Sequence, residues 1–209
     1  MSHIVLLGDS VFDNRAYTQG EPDVAAHLRD VLPGWKVTLR AVDGSTTSDL
    51  GVQFSRVPRN ASHLVLSIGG NDALLNSDLL ATPVRSTSEA LELFRERLDV
   101  FEIMHGYAVE ALVALKRPAT ICTIYNGDLA AREATLARTA LMMFNDIIIR
   151  NALKWSVNVI ELRVVCSAPE DYANPIEPSG TGGRKIARAI AGALGAAAVP
   201  TQRSVIVGL

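Results

Sequence analysis

The sequence IVLLGDSVFDN, at residues 4–14, joins a short apolar run to a turn that carries a carboxyl and a hydroxyl group side by side. The apolar run, Ile4–Leu7, is short and contains β-branched residues, which predicts a buried strand. Gly8 predicts a turn at the end of that strand, and Asp9 and Ser10 follow it directly. Ligands of open α/β folds bind beyond the carboxyl ends of the strands. In such a fold, Ser10 lies where a nucleophile would meet a substrate.

Four more short runs of this kind follow along the chain, and segments with helical spacing separate them. The runs are Lys36–Arg40, Leu64–Ser67, Thr120–Ile124 and Val157–Glu161. Apolar residues recur every three or four positions at Leu91, Phe94, Leu98 and Phe101, and again at Ala137, Leu141, Phe144 and Ile148. Ser179 is a suitable N-cap for a final helix that ends near Gly195. Because alternating strands and helices form right-handed βαβ units, we predict a central parallel five-stranded sheet with helices on both faces.

Composition and charge agree with a single domain over residues 1–209 and narrow the classes of function. The chain has 209 residues, of which 48% are hydrophobic, and its formal net charge is −2. No basic stripe or polybasic run is present, so we expect neither nucleic acid nor a membrane surface as a partner. The apolar run before the first glycine is too short for a signal peptide, and the two cysteines fit no zinc or disulfide pattern. We therefore expect a cytoplasmic protein, in which residues from about 200–209 form a loose tail or an edge strand.

The loops after the predicted strands carry groups suited to attack on a carbonyl carbon. These loops are Gly8-Asp9-Ser10, Val42-Asp43-Gly44-Ser45, Ile68-Gly69-Gly70-Asn71-Asp72 and Asn174-Pro175-Ile176-Glu177-Pro178-Ser179. A serine hydroxyl that attacks a carbonyl creates an oxyanion, which fixed hydrogen-bond donors must stabilise. The backbone N–H groups of Ser10 and Gly44 and the side-chain amide of Asn71 would supply three such donors. Each loop alone is typical of an ordinary turn, but all of them in order favour a hydrolase.

In these residues the chain resembles the GDSL family, also called SGNH hydrolases, whose members include esterases, lipases, thioesterases and carbohydrate deacetylases. The first family block matches Gly8-Asp9-Ser10, with Phe12-Asp13-Asn14 behind it, and the later blocks match at Gly44 and at Asn71-Asp72. The resemblance implies a three-layer α/β sandwich. It also implies that Ser10 is the nucleophile and that the Ser10 amide, Gly44 and Asn71 form the oxyanion hole. We expect a small-molecule ester as the substrate and neither a metal nor another cofactor.

The last block departs from the pattern of the family, which usually carries Asp-x-x-His-Pro before the final helix. This chain carries Asn-Pro-Ile-Glu-Pro at residues 174–178. None of the four histidines is well placed to replace the missing one. His3 and His63 precede their strands, on the order of 15 Å from the carboxyl edge. His105 lies nearly 30 Å along its helix, at about 1.5 Å per residue. His27 shares a helix face with apolar residues, which is typical of a packed core histidine.

Glu177 is then the candidate base, in a dyad with Ser10. A free glutamate, with a pKa of about 4.3, is roughly two units less basic than histidine. Burial beside its proline neighbours, or a nearby carboxylate such as Asp9 or Asp13, would raise that pKa. Asn174 cannot orient the base through a charge, and we expect its amide to donate a hydrogen bond to Glu177 or to a loop carbonyl. In the alternative reading, Glu177 only stabilises the positive end of the final helix, where its pKa would fall.

Three other functions stay open. A hydrolase fold without the histidine would suit a binding protein that holds a small acyl or carboxylate ligand and turns over little or nothing. The glycine turn after the first strand would suit phosphate, although the usual glycine-rich motifs are missing. A metal site would use Asp9, Asp13, Asp43 and Asp72, but aspartates are common in turns and no histidine or cysteine joins them. We predict an ester hydrolase, with Asp9, Asp13, Asp72 and Asn174 in supporting or pocket-lining positions.

Overall fold

The structure, a computed structural model, describes residues 2–195 and centres on a parallel five-stranded sheet. The strands are β1 (His3–Gly8), β2 (Lys36–Leu39), β3 (His63–Ser67), β4 (Ala119–Cys122) and β5 (Asn158–Ile160), in the order β2-β1-β3-β4-β5. Each of the five predicted strands overlaps an observed one, and the predicted parallel sheet is confirmed. The tail or edge strand expected at about 200–209 lies outside the described residues.

Helices cover both faces of the sheet and complete a three-layer α/β sandwich, as predicted. They are α1 (Val24–Val31), α2 (Leu50–Ser55), α3 (Gly70–Leu75), α4 (Thr87–Ala114), α5 (Ala131–Lys154), α6 (Leu162–Val165) and α7 (Gly180–Ala193). The N-cap predicted for the last helix is present, because the Ser179 hydroxyl accepts the N–H of Gly182 at 3.2 Å. Between residues 2 and 195, no helix combines the length and the apolar character of a membrane span.

Strand β1 divides the hydrophobic core in two, because its successive side chains point to opposite faces of the sheet. Ile4 and Leu6 pack with α1 and α7, whereas Val5 and Leu7 pack with α2, α4 and α5. All four side chains are fully buried, and each contributes roughly 1.5–3 kcal/mol of hydrophobic free energy. A central strand that is covered on both faces reads as a continuous apolar run in the sequence. The first strand could therefore be recognised from four residues.

Helices α4 and α5 begin well beyond the carboxyl edge of the sheet. Phe101 of α4 lies against Gly69, which follows β3, and Asn145 of α5 hydrogen-bonds to the backbone of Ile124, which follows β4. These two contacts mark the level of the sheet edge. About 20 Å of each helix precedes that level, at about 1.5 Å per residue. The first halves of α4 and α5 therefore stand above the sheet, as two walls beside the loops that follow the strands.

We call the parts of α4 and α5 that extend beyond the sheet edge the overhang. The first half of the predicted apolar stripe of α4 lies in it. The spacing of the stripe correctly predicted a helix, and Phe101 at its end is buried in the core. Phe94 and Leu98 are only half-buried, and Leu91 is 63% exposed. The stripe does not pack on the sheet along its whole length, because its first half lies beyond the strands.

Candidate active site

The backbone at the end of β1 holds Ser10 at the carboxyl edge of the sheet. Gly8 has a φ of +120°, in the region that favours glycine, and a side chain there would collide with the carbonyl of Ser67 on β3. The Asp9 N–H donates to that carbonyl at 3.1 Å, and the Phe12 N–H then donates back to the carbonyl of Asp9. This sharp turn places the Ser10 side chain, which is 8% exposed, beside the loops that follow the other strands.

Gln53 of α2 fixes this turn from the side. Its side-chain oxygen accepts the Gly8 N–H at 2.8 Å, and its amide donates to the Gly8 carbonyl at 2.8 Å and to the Ser45 hydroxyl at 3.2 Å. The buried side chain thus joins the loop of Ser10 to the loop that contains Gly44. Nothing in the sequence pattern marks Gln53, because a lone glutamine in a short helix is typical of a solvated surface.

We expect Gln53→Ala to lower the free energy of unfolding by about 1–3 kcal/mol, because it leaves the buried N–H of Gly8 without a partner, while the Gly8 carbonyl still accepts the N–H of Val42 at 3.0 Å. Urea unfolding followed by circular dichroism measures the change. Val52→Ala is the matched control on the same helix. Val52 is 57% exposed, and its loss should change the free energy by less than about 0.5 kcal/mol. Equal stability of Gln53→Ala and the wild type would contradict this role.

The hydroxyl of Ser10 donates a hydrogen bond to Oε1 of Glu177 at 3.0 Å. That distance lies within the range of about 2.6–3.2 Å for a nucleophile and its base. The turn before Glu177 is held by Asn174, whose side-chain oxygen accepts the N–H groups of Ile176 and Glu177, both at 3.0 Å. The expectation that the Asn174 amide donates a hydrogen bond was therefore wrong. Its oxygen accepts instead, because an asparagine that begins a tight turn faces the N–H groups that follow it.

Burial sets the proton affinity of Glu177. The residue is 6% exposed, and burial raises its pKa to about 7, although the hydrogen bond from Ser10 lowers the pKa and the charge of Asp43 raises it. Asp43 therefore contributes to this rise, and Asp9 is a second carboxyl group that interacts with Glu177. The alternative of a helix-start carboxylate with a lowered pKa does not hold, since Ser179 caps α7. A carboxyl group that is half-ionised near pH 7 can accept a proton and return it in one cycle.

Asp9 is the second buried carboxyl group of the site. Burial raises its pKa to about 8, the hydrogen bond from the Val11 N–H opposes this rise, and the charges of Glu177 and Asp72 add to it. At pH 7 Asp9 is therefore mainly the neutral acid.

The loops that contain Asn71 and Gly44 are joined beside the turn that carries Ser10. The amide of Asn71 donates to the carbonyl of Ser45 at 2.9 Å. Asp72 accepts the N–H of Thr47 at 3.1 Å and its hydroxyl at 2.6 Å, which ties the start of α3 to the same loop. Burial raises the pKa of Asp72, and both hydrogen bonds from Thr47 oppose that rise. Asp72 therefore braces the loop and leaves Asn71 to face the site.

Hydrogen-bond donors remain free at this position. Over residues 2–195, the backbone N–H groups of Ser10 and Gly44 donate to no protein group, and Asn71 uses its amide in one hydrogen bond, which leaves a second amide hydrogen. Ser10 and Asn71 line a cavity together with Asp9 and Glu177, but Gly44 is exposed and lies outside the cavity wall. Of the three predicted donors, Gly44 is thus the one that does not line the cavity.

Asp13 lies at the rim of the site. Its carboxylate accepts the N–H of Asp43 at 3.1 Å, and the Asp43 carboxylate accepts the hydroxyl of Tyr17 at 2.6 Å. Asp13 therefore holds the loop before Gly44 and does not line the cavity. In the part of the chain that the structure describes, no three His, Cys, Asp or Glu side chains are grouped so that they could hold a metal ion.

All four histidines have other surroundings. Their neighbours are Asn60 and Thr38 for His3, Gly183 for His27, Ser62 for His63, and Asn151 for His105. Burial lowers the pKa of His105 to about 4, so that this side chain is neutral and internal. None of these positions offers an imidazole to Ser10. His3 and His63 begin their strands at the amino edge, as expected, but the distance expected for His105 was wrong. Because α4 begins well beyond the carboxyl edge, His105 lies only one turn after Phe101, which marks the level of that edge.

A sequence profile of the GDSL-like Lipase/Acylhydrolase family matches residues 6–185. The chain belongs to this family. The matched range contains every site residue described above, from Asp9 to Glu177. Membership of the family places this GDSL-like chain among hydrolases of carboxylic esters. Among curated protein sequences, none matches the chain significantly.

Solved structures share the fold of this GDSL-like chain at low sequence identity. An extracellular lipase from Streptomyces rimosus is 15% identical, with a TM-score of 0.69, over 92% of this chain and 100% of that one. A variant of an acetyl xylan esterase from Geobacillus stearothermophilus is 18% identical, with a TM-score of 0.68, over 96% and 97%. Phospholipase A1 from Streptomyces albidoflavus is 16% identical, with a TM-score of 0.68, over 94% and 99%. At such identities the likeness establishes the fold alone.

Proposed function

We propose that this GDSL-like chain hydrolyses small carboxylic esters, with Ser10 as the nucleophile and Glu177 as the general base at the position where the family usually carries histidine. The hydrogen bond of 3.0 Å from Ser10 to Glu177 carries the proposal. A pKa of about 7 supports it, because it makes this carboxylate about as basic as a free histidine, whose pKa is about 6.5. Asn174 acts as a positioning residue, since it holds the backbone from which Glu177 projects.

In the first half of the reaction, the Ser10 oxygen attacks the ester carbonyl carbon while Oε1 of Glu177 takes the hydroxyl proton. The carbonyl oxygen becomes an oxyanion, which the N–H groups of Ser10 and Gly44 and the second amide hydrogen of Asn71 stabilise. Such a donor is worth about 3–4 kcal/mol of the barrier. The intermediate then collapses, the carbon–oxygen bond to the alcohol breaks, and Glu177 returns its proton to the leaving alcohol.

In the second half, water attacks the acyl–Ser10 ester. Glu177 takes a proton from that water, the same donors hold the second oxyanion, and the proton returns to the Ser10 oxygen as the acid leaves. Oε2 of Glu177 is buried and accepts no hydrogen bond from residues 2–195. Because no third residue shares the charge of Glu177, we propose a dyad, in which burial replaces the orienting aspartate of the family.

The test of this function is covalent labelling by a fluorophosphonate probe together with turnover of p-nitrophenyl butyrate. We expect one probe molecule per chain, located at Ser10 by peptide mass spectrometry, with faster labelling at pH 8 than at pH 5 because ionised Glu177 activates the hydroxyl. Heat-unfolded protein is the control, since its serines have no base beside them. Absence of labelling from pH 5 to pH 9, with no ester turnover, would refute the proposal.

A binding protein is the second candidate, and the free donors beside Ser10 favour it. Two unpaired backbone N–H groups and a spare amide hydrogen would hold a carboxylate oxygen as readily as an oxyanion. Saturable binding of a small carboxylic acid by a chain that resists the fluorophosphonate would select this candidate. Rapid labelling of Ser10 would exclude it.

A further inference from the structure

The cavity beside Ser10 and Glu177 has a volume of about 150 Å³. Its acidic side chains lie at one end, and most of the rest of its lining is apolar. Among residues 2–195, Asp9 and Glu177 are the only carboxyl side chains that line the cavity, and both lie at the end beside Ser10. Most of the remaining wall is aliphatic or aromatic. Its larger members include Leu74, Leu80, Phe94, Ile124, Leu141 and Phe144.

This wall follows from the overhang of α4 and α5. The half of each helix that stands above the sheet supplies part of one wall, with Phe94 from α4 and with Ala140 and Leu141 from α5. Another part of the wall comes from α3 and the turn after it. No charged side chain of α4 or α5 lines the cavity, although both helices carry many charged residues elsewhere. The helices therefore present an apolar surface to the space next to the nucleophile.

We propose that this cavity binds the acyl chain of the ester, and that the substrates are esters of medium-chain fatty acids with roughly six to ten carbons. The inference rests on the proposed function, because it assigns the acyl side of the same site. At roughly 10–15 Å³ for each water-sized group, the cavity has room for on the order of ten such groups, and a methylene is of similar size. An acetyl group would leave nearly all of this apolar wall without a partner.

The wall also argues against a carbohydrate in this space. Sugar hydroxyl groups that leave water need hydrogen-bond partners, and the part of the wall from α4 and α5 offers only hydrocarbon at Phe94, Ala140, Leu141 and Phe144. Among the polar members of the lining, Asn71 and Tyr125 lie near the strand ends, and Asn76 and Ser77 lie in the turn after α3. The chemistry of the cavity thus selects an apolar chain with its carbonyl at Ser10.

The test is the dependence of kcat/KM on acyl length, measured with p-nitrophenyl acetate, butyrate, hexanoate and octanoate below their micelle concentrations. Each methylene that enters the cavity should raise kcat/KM by about threefold to fourfold. We expect octanoate esters to exceed acetate esters by at least about a hundredfold. Turnover that is greatest for acetate and falls with every added carbon would overturn the inference, while the proposed hydrolase would stand.

Substitution inside the wall provides a matched comparison. Ala140→Phe places a ring in the cavity and should lower the ratio of kcat/KM for octanoate to kcat/KM for acetate by at least tenfold. Thr139→Phe adds the same ring at the neighbouring exposed position of α5, and should leave that ratio within twofold of the wild type. Equal ratios in the two variants would contradict the assignment. Ala137→Phe, one helical turn earlier in the same wall, is a second variant in case Ala140→Phe does not fold.

A binding measurement separates this inference from the proposed function. Neutral amides avoid repulsion by Glu177, so octanamide and acetamide are compared by calorimetric titration of Ser10→Ala. We expect octanamide to bind at least tenfold more tightly. If no ester is hydrolysed but this preference holds, the proposed function fails and the acyl cavity stands. If both amides bind equally, the acyl cavity is refuted whatever the turnover.

Discussion

Replacement of Ser10 by alanine is expected to lower kcat/KM for p-nitrophenyl butyrate by at least about 10³-fold, because it removes the atom that forms the acyl-enzyme. Ser10 donates its hydroxyl to Glu177, and we found no other serine in the described chain that does so. Any activity that persists should come from the oxyanion donors acting on water alone. Initial rates over a range of substrate concentrations, with active protein quantified by absorbance, measure this loss.

Ser48→Ala is the control for Ser10→Ala. Ser48 is exposed in the loop that leads to α2, and its substitution should leave kcat/KM within twofold. The fold of Ser10→Ala is checked by its circular dichroism spectrum and melting temperature, since one lost buried hydrogen bond costs only about 0.5–1.5 kcal/mol. A folded Ser10→Ala protein with more than a tenth of the wild-type rate would show that the nucleophile lies elsewhere.

Glu177→Gln is expected to lower kcat/KM by about 10²–10⁴-fold, the usual contribution of a general base. Glutamine has nearly the same shape and can still accept the Ser10 hydrogen bond, but it cannot take the proton. Glu177→His returns the residue that the family usually carries, and it should recover part of the lost rate because imidazole is a base. Equal rates for the glutamine variant and the wild type would reduce Glu177 to a structural residue.

The pH profile gives an independent reading of the same residue. Only the ionised carboxylate accepts a proton, so wild-type kcat/KM should rise with pH and reach half its maximum near pH 7, the pKa that burial gives Glu177. A free glutamate would place this midpoint near pH 4.3. In Glu177→Gln the rise near pH 7 should vanish. A wild-type rate that is flat from pH 5 to pH 8 would exclude a base with this pKa.

The free energy of unfolding should fall as pH rises, whereas kcat/KM should increase. The folded pKa of Glu177 is raised above its unfolded value, so the folded chain holds this proton more tightly and loses stability as pH rises from about 4.3 through about 7. Glu177→Gln carries no such proton and should melt at the same or a higher temperature than the wild type at pH 8. Loss of turnover in a variant that is equally or more stable is difficult to attribute to unfolding.

The strands and the turn that carries Ser10 could be predicted because their signals are local. Each strand is a short apolar run, and the turn at Gly8 needs a residue that tolerates a positive φ. The order of the strands was not predicted, since no local pattern records which strands pair. Gln53 and Asn145 were also missed. Each side-chain amide holds both backbone groups of a residue at the end of a strand, and such pairing across the fold leaves no periodic trace in the sequence.

Asn174 shows a second reason why the site could not be predicted fully from the sequence. Its position in the turn before Glu177 was visible in the sequence, but whether its side chain would donate or accept depended on backbone angles that no residue pattern specifies. Likewise, the raised pKa of Glu177 depends on burial by residues distant in the chain. The identity of the candidate base could thus be proposed from the sequence, whereas its surroundings required the fold.

In the proposed acyl cavity, the overhang of α4 and α5 would set the depth of the acyl site, apart from the residues at the end of β1. A related chain with a longer or shorter overhang would then accept an acyl chain of another length, with no change at the end of β1. Each residue turns a helix by about 100°. The insertion of a single residue would therefore rotate the apolar side of the helix away from the acyl chain. Insertions of seven residues, which restore the angle to within about 20°, would lengthen the overhang and keep its apolar side toward the cavity.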